Sequence, residues 1–209
     1  MNEVNRELAQ LFQAKLETDE QKLNVLNAIR NVSIRPANAV IILSHTPTRV
    51  LLEAALKGAT GQLQEQAVVI WRNIAMHHPL TSEDSSWWRQ NLALVTGILA
   101  SSTIAAKQAA AGLLRYLTTD SALQRLGGLE DKMSGIARLL DPDFPVGCNE
   151  EAAFVLANLS QWDENSRTIM EWEAIPRLIK LVRDGPGAAK HPGTLHAQRA
   201  ANPCFAACE

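Results

Sequence analysis

Cysteine, tyrosine and phenylalanine are scarce: 3, 1 and 4 residues respectively in a chain of 209. The cysteines, Cys148, Cys204 and Cys208, are odd in number, and two of them crowd the C-terminus. They form no disulfide framework and suit a reducing compartment, so the expected location is cytoplasmic, nuclear or both. Long apolar runs are missing too. The opening "MNEVNRELAQLFQAKLETDEQ" has no apolar core of the kind a secretory signal needs, and no stretch approaches the ~20 apolar residues of a membrane span. A balance of 20 basic against 22 acidic residues leaves a net charge of −2. That is too weak a field to attract nucleic acid or an anionic membrane. Glycine-rich phosphate loops, a nucleophile elbow and a metalloprotease helix are all missing. The expectation is therefore a noncatalytic chain with no cofactor and no small-molecule substrate. Two glycosylation sequons, at Asn31 and Asn158, fall inside helical windows and read as accidental.

What the chain does contain is a period. The stretches "VLNAIRNVS", "VVIWRNIA", "AGLLRYLT" and "FVLANLS" share one pattern, and their anchors Asn31, Asn73, Tyr116 and Asn158 lie 42, 43 and 42 residues apart. A second series, "RVLLEAALKG", "NLALVTGILAS", "MSGIARLLD" and "IPRLIKLVRD", places Leu56, Leu99, Leu140 and Val182 at steps of 43, 41 and 42. Periods of ~40–47 residues belong to stacked helical units. Within the windows the apolar residues keep helical spacing, as at Ala153, Leu156, Leu159 and Ser160, so each helix has one face to bury against its neighbours. Gly58 and Gly61, Gly127 with Gly128, and "DPDFPVG" are expected between helices, with a helix running from Asn149. Pro176 suits a first helical turn.

"ENSRTIMEWEAIPRLIKLVRDG", residues 164–185, resembles the first two helices of an armadillo repeat, and "EEAAFVLANLS" resembles the third. The resemblance implies an all-α, armadillo-like right-handed superhelical solenoid of about four repeats. It would cover residues 1–185, entering midway through a repeat, with 186–209 a Gly/Pro/Ala-rich tail or degenerate fifth repeat. At "EWEAIP" the pattern departs from the family's usual small-Gly pair, because Trp172 and Glu173 stand there. The turn is expected to differ.

The same resemblance implies a function, a protein-protein interaction scaffold whose third helices line a concave groove for an extended or helical peptide. The anchor asparagine would hydrogen-bond the peptide backbone, since an amide both donates and accepts. Helical geometry puts the residues four before and one before each anchor on the same side. The rows are Asn27, Arg30, Asn31; Val69, Arg72, Asn73; Gly112, Arg115, Tyr116; and Phe154, Ala157, Asn158. Nuclear-import adaptors of this family carry tryptophan at the first position of each row. Here only Phe154 is aromatic, and "AAGLLRYLT" is more similar to the catenin-like branch. Arginine in three successive rows points to an acidic or phosphorylated partner segment. The competing readings are a solvated helix face for the arginines, an inter-repeat bond for the asparagines, and a fragment or structural subunit of a larger armadillo protein.

Five tryptophans, Trp71, Trp87, Trp88, Trp162 and Trp172, are expected around loops and first helices, chiefly as packing. Of the adjacent pair in "SSWWRQ", one ring should be core and the other partly exposed, because neighbours on a helix point about 100° apart. His191, His196, Cys204 and Cys208 imitate a zinc quartet, but in an unusual order and without a small core around them. No metal is expected. His77 and His78 should complement the end of a helix.

Overall fold

The computed structural model describes residues 3–13, 15–58, 61–78, 82–101, 103–120, 123 and 130–184. Among these every regular element is helical. The glycine pair at 127–128 and the whole 186–209 segment, with its histidines and cysteines, lie outside the described residues. Two compact units are present, residues 1–81 and 82–209.

The first unit holds α1 (Glu3–Leu11), α2 (Asp19–Ser33), a 3-10 turn (Pro36–Asn38), α3 (Ala39–Ser44), α4 (Thr46–Lys57) and α5 (Gly61–His77). A capping box opens α2. The Thr18 hydroxyl accepts from the Gln21 amide at 3.2 Å, and the Gln21 side-chain oxygen accepts from the Thr18 amide at 3.1 Å. Val25, Leu26 and Ile29 then form the buried stripe of α2, which packs on α5, and α5 in turn covers α4. Gly58 caps α4, but Gly61 is the first residue of α5 instead of a separator.

The second unit holds α6 (Ser82–Ser101), α7 (Ile104–Leu117), α8 (Glu130–Arg138), α9 (Val146–Leu159), α10 (Asp163–Glu171) and α11 (Ala174–Asp184). The helices carrying the first periodic series, α7 and α9, pack side by side, as α2 and α5 do in the first unit. Those of the second series form another layer, α6 on α8 and α8 on α11. The period thus corresponds to one helix in each layer. This second layer is tight at Gly135 of α8, where an added methyl group would stand 3.1 Å from Cβ of Leu99 on α6.

Two further local features differ from expectation, and a third, the turn after α10, is unusual as expected. Helix α9 starts at Val146, three residues before Asn149, whose amide is occupied elsewhere: it donates to the carbonyls of Leu139 at 2.6 Å and Asp141 at 3.0 Å. That ties the start of α9 to the end of α8. Trp71 sits inside α5, buried, not near a loop. The turn between α10 and α11 is made by Glu173 at φ 57°, a left-handed conformation that glycine adopts without strain and glutamate does not. Elsewhere the pairing of Trp87 and Trp88 follows the 100° argument. Trp88 is buried, Trp87 is half-buried, and the rings meet edge to face at 4.7 Å.

The sequence reading missed a second periodic asparagine. Asn38 donates to the Val32 carbonyl at 2.8 Å and Asn165 to the Leu159 carbonyl at 2.8 Å. Each lies seven residues after an anchor, is buried, and satisfies a carbonyl at the end of a third helix. The signal was present at only two of four repeats, because Leu80 and Leu123 hold the corresponding positions.

Candidate functional site

The anchors lie on α2, α5, α7 and α9, and in each unit one of them, Asn73 or Asn158, bonds to the preceding repeat. In the first unit Asn73 donates through Nδ2 to the Ser33 hydroxyl at 2.9 Å, and Ser33 donates to the Arg30 carbonyl at 2.7 Å. In the second, Asn158 Nδ2 donates to the Arg115 carbonyl at 2.9 Å and the Thr118 hydroxyl at 3.0 Å, while Thr118 donates to the Leu114 carbonyl at 2.8 Å. The two relays are the same device written 85 residues apart, which is two periods. A carbonyl can only accept, so the Arg115 bond fixes which end of the Asn158 amide faces it. The Oδ1 atoms of Asn73 and Asn158 have no hydrogen-bond partner among the described residues. Asn73 and Asn158 are thus each held by the donor, with the acceptor unused.

The arginines follow the same two-period rule. Arg30 donates to the Gln66 side chain at 3.2 Å, and Arg115 pairs with Glu151 at 3.3 Å, both across 36 positions. The chemistry differs. Gln66 is neutral and leaves the Arg30 charge intact, whereas Glu151, only 8% exposed against 32% for Arg115, compensates its partner. The Arg115 guanidinium carbon also lies over Phe154, 3.6 Å from the ring centroid, and 5.5 Å from that of Tyr116. Ring and ion pair together lock the guanidinium in one orientation.

The rest of the row is less uniform. Asn27, Arg30 and Asn31 are exposed; Val69, Arg72, Asn73, Tyr116, Phe154 and Asn158 are half-buried; and Gly112 is buried. Among the described residues no group of three or more His, Cys, Asp or Glu side chains is placed to hold a metal ion, and no single helix is long and apolar enough to cross a membrane. Cys148, at the start of α9, is buried, and that burial pushes its thiol above the ordinary range while the charge of Lys107 pulls it part of the way back.

No family model and no curated protein matches the chain. Solved structures do match. A designed armadillo repeat protein, 19% identical, aligns over 94% of this chain and 80% of its own with a TM-score of 0.74. A computationally designed armadillo protein for modular peptide recognition gives the same coverage and TM-score at 20% identity. A third, crystallised in complex with peptide (KR)4, is 16% identical, with 95% of this chain and 80% of that chain aligned at a TM-score of 0.71. The fold is therefore the all-α armadillo repeat solenoid.

Proposed function

We propose that the chain is a noncatalytic scaffold that grips an extended segment of a partner protein through its third helices, α2 with α5 in the first unit and α7 with α9 in the second. The observation that carries this reading is the state of Asn73 and Asn158. Each is clamped by its donor to the preceding repeat and keeps an unused carbonyl oxygen, which suits it to accept an amide proton from a peptide backbone. A solved neighbour of the same fold holds a peptide of lysine and arginine. This chain has arginines in its rows and, at Asn27, Val69 and Gly112, no aromatic ring on which a basic stem would stack. The partner segment is accordingly read as acidic or phosphorylated, and the row as nearer to the catenin-like branch. Arg30 and Arg72 would do the selecting. Arg115, compensated by Glu151, would serve with Phe154 and Tyr116 as a flat platform, and Asn31 would join the backbone clamps. Cytoplasm or nucleus suits the cysteine chemistry.

A library of extended peptides containing acidic, phosphorylated and basic members would be screened against the wild-type chain, Asn73→Ala/Asn158→Ala and Arg30→Gln/Arg72→Gln, each checked for an unchanged helical circular dichroism spectrum. The asparagine variant should lose affinity for every peptide and the arginine variant only for the acidic ones. Uniform binding by all three proteins would remove the function from these helices, and a preference for basic peptides would overturn the charge assignment.

A further inference from the structure

Three residues after each anchor, one helical turn further along the same side, the chain places Ile34, Met76, Thr119 and Gln161. All four are exposed. The first two are large and apolar, Ile34 at 61% and Met76 at 42% exposure, and both belong to the first unit. The hydrogen bond from the Asn73 amide to the Ser33 hydroxyl at 2.9 Å brings their surroundings together. Ile34 follows Ser33 directly and keeps the helical conformation of α2, and Met76 lies one turn beyond Asn73 inside α5. The second unit has a periodic pair of its own, Ile104 and Val146, also exposed. That pair opens α7 and α9, at the far end of each helix from its anchor. Only in the first unit, among the described residues, do exposed apolar side chains stand one turn beyond the anchors at two successive repeats.

Charge separates the units at the same place. Arg30, one turn before Ile34, bonds the neutral Gln66. Arg35, next after Ile34, makes no side-chain hydrogen bond or ion pair with a described residue. Two periods on, their counterparts are Arg115, paired with the carboxylate of Glu151, and Asp120, itself an acid. His77 and His78 follow Met76, so no acidic residue adjoins either member of the apolar pair in the sequence. An anion arriving at Arg115 would have to compete with Glu151, and drawing the arginine away would leave that buried carboxylate without its cation. An anion arriving at Arg30 or Arg35 displaces no carboxylate of the described residues.

We propose that the first unit takes the acidic partner segment, and that this segment carries an apolar side chain beside its acidic group. Ile34 and Met76 cover the apolar side chain, while Arg30 and Arg35 hold the charge. The inference rests on the reading of the third helices as peptide-binding, and it makes Ile34 and Met76 determinants of specificity. Two labelled peptides test it on the full chain by fluorescence anisotropy: one has glutamates on both sides of a central leucine, the other has serine in place of the leucine. The leucine peptide should bind at least about tenfold more tightly, the gain from burying one such side chain. In Ile34→Ser/Met76→Ser that preference should vanish, with the serine peptide bound as by wild type and the circular dichroism spectrum unchanged, since both positions are exposed. Arg30→Gln/Arg35→Gln should weaken both peptides, and Thr119→Ala/Gln161→Ala should weaken neither. Equal affinity for the two peptides, with both still lost in Asn73→Ala, would overturn this proposal and leave the peptide-binding reading standing. Failure of both peptides to bind would overturn it together with the acidic reading of the partner. A dimer that dissociates in Ile34→Ser/Met76→Ser, seen by analytical ultracentrifugation, would assign the apolar pair to a second copy of the chain and overturn it as well.

Discussion

At the scale of single residues, the protein's most informative side chain is Asn158, because one amide does two jobs that substitution can separate. Its donors hold the Arg115 carbonyl and the Thr118 hydroxyl. Asn158→Ala removes both bonds and leaves the Arg115 carbonyl with only the longer Thr118 hydroxyl contact at 3.3 Å, a loss of about 1 kcal/mol. Asn158→Asp keeps the size and the second acceptor but sets a carboxylate against a carbonyl. The aspartate is expected to lower the urea midpoint at pH 7 by more than alanine does, and an equal effect would mean that the relay contributes only packing. Cys148 gives a second residue-scale prediction. With its thiol raised by burial, the folded chain favours the protonated sulfur. The associated stability is complete below the ordinary thiol range and is given up as pH rises through the raised value. Alkylation of Cys148 at pH 7.5 in a Cys204→Ser/Cys208→Ser chain should run at least about tenfold slower than in the urea-unfolded chain. Comparable rates would show that the thiol is accessible in the folded state.

Individual elements show where the sequence speaks clearly and where it does not. Helices α2, α5, α7 and α9 were legible because each buries a stripe at helical spacing and repeats it at a fixed period. The start of α9 was not, because it depends on where the Asn149 amide finds carbonyls, eight and ten residues back in the chain. Gly61 misleads for a similar reason: glycine punctuates a chain on either side of a boundary, and only the fold decides which helix receives it. For the candidate site, the sequence put the anchors on the periodic helices but could not tell which atoms of the Asn73 and Asn158 amides were already occupied. The unusual "WEAI" turn was visible, and the structure gives it a physical cost. Glu173 at φ 57° carries the strain of a left-handed residue, and its exposed pair with Arg177, at 3.4 Å, offsets little of that. Glu173→Gly is expected to raise stability by about 1 kcal/mol, read as a higher thermal midpoint. A fall would mean that the side chain anchors the turn after all.

For the molecule as a whole, stability is distributed along the chain, since in stacked repeats each helix layer leans on the next one only. A core deletion should therefore be felt locally first. Leu26, fully buried in α2, is such a site, and Leu26→Ala removes about 2–5 kcal/mol from the packing of α2 on α5. Hydrogen exchange should show faster amides in α2 and α5, with those of α9 and α10 close to wild type. Uniform loss of protection along the chain would instead mark a single cooperative fold. The period made this architecture readable from the sequence, whereas the partner of the binding face was not, because one row of polar residues accommodates many peptides.

The hydroxyl–asparagine relay carries a genetic consequence. Ser33 with Asn73, and Thr118 with Asn158, lie far apart in the chain yet act as single heritable units. Losing either Thr118 or Asn158 removes the bond between them, and losing both removes it only once, although the Arg115 carbonyl then loses both of its side-chain donors. Paired changes should therefore cost less than the sum of the single ones, so descendants of this chain would tend to change the two together.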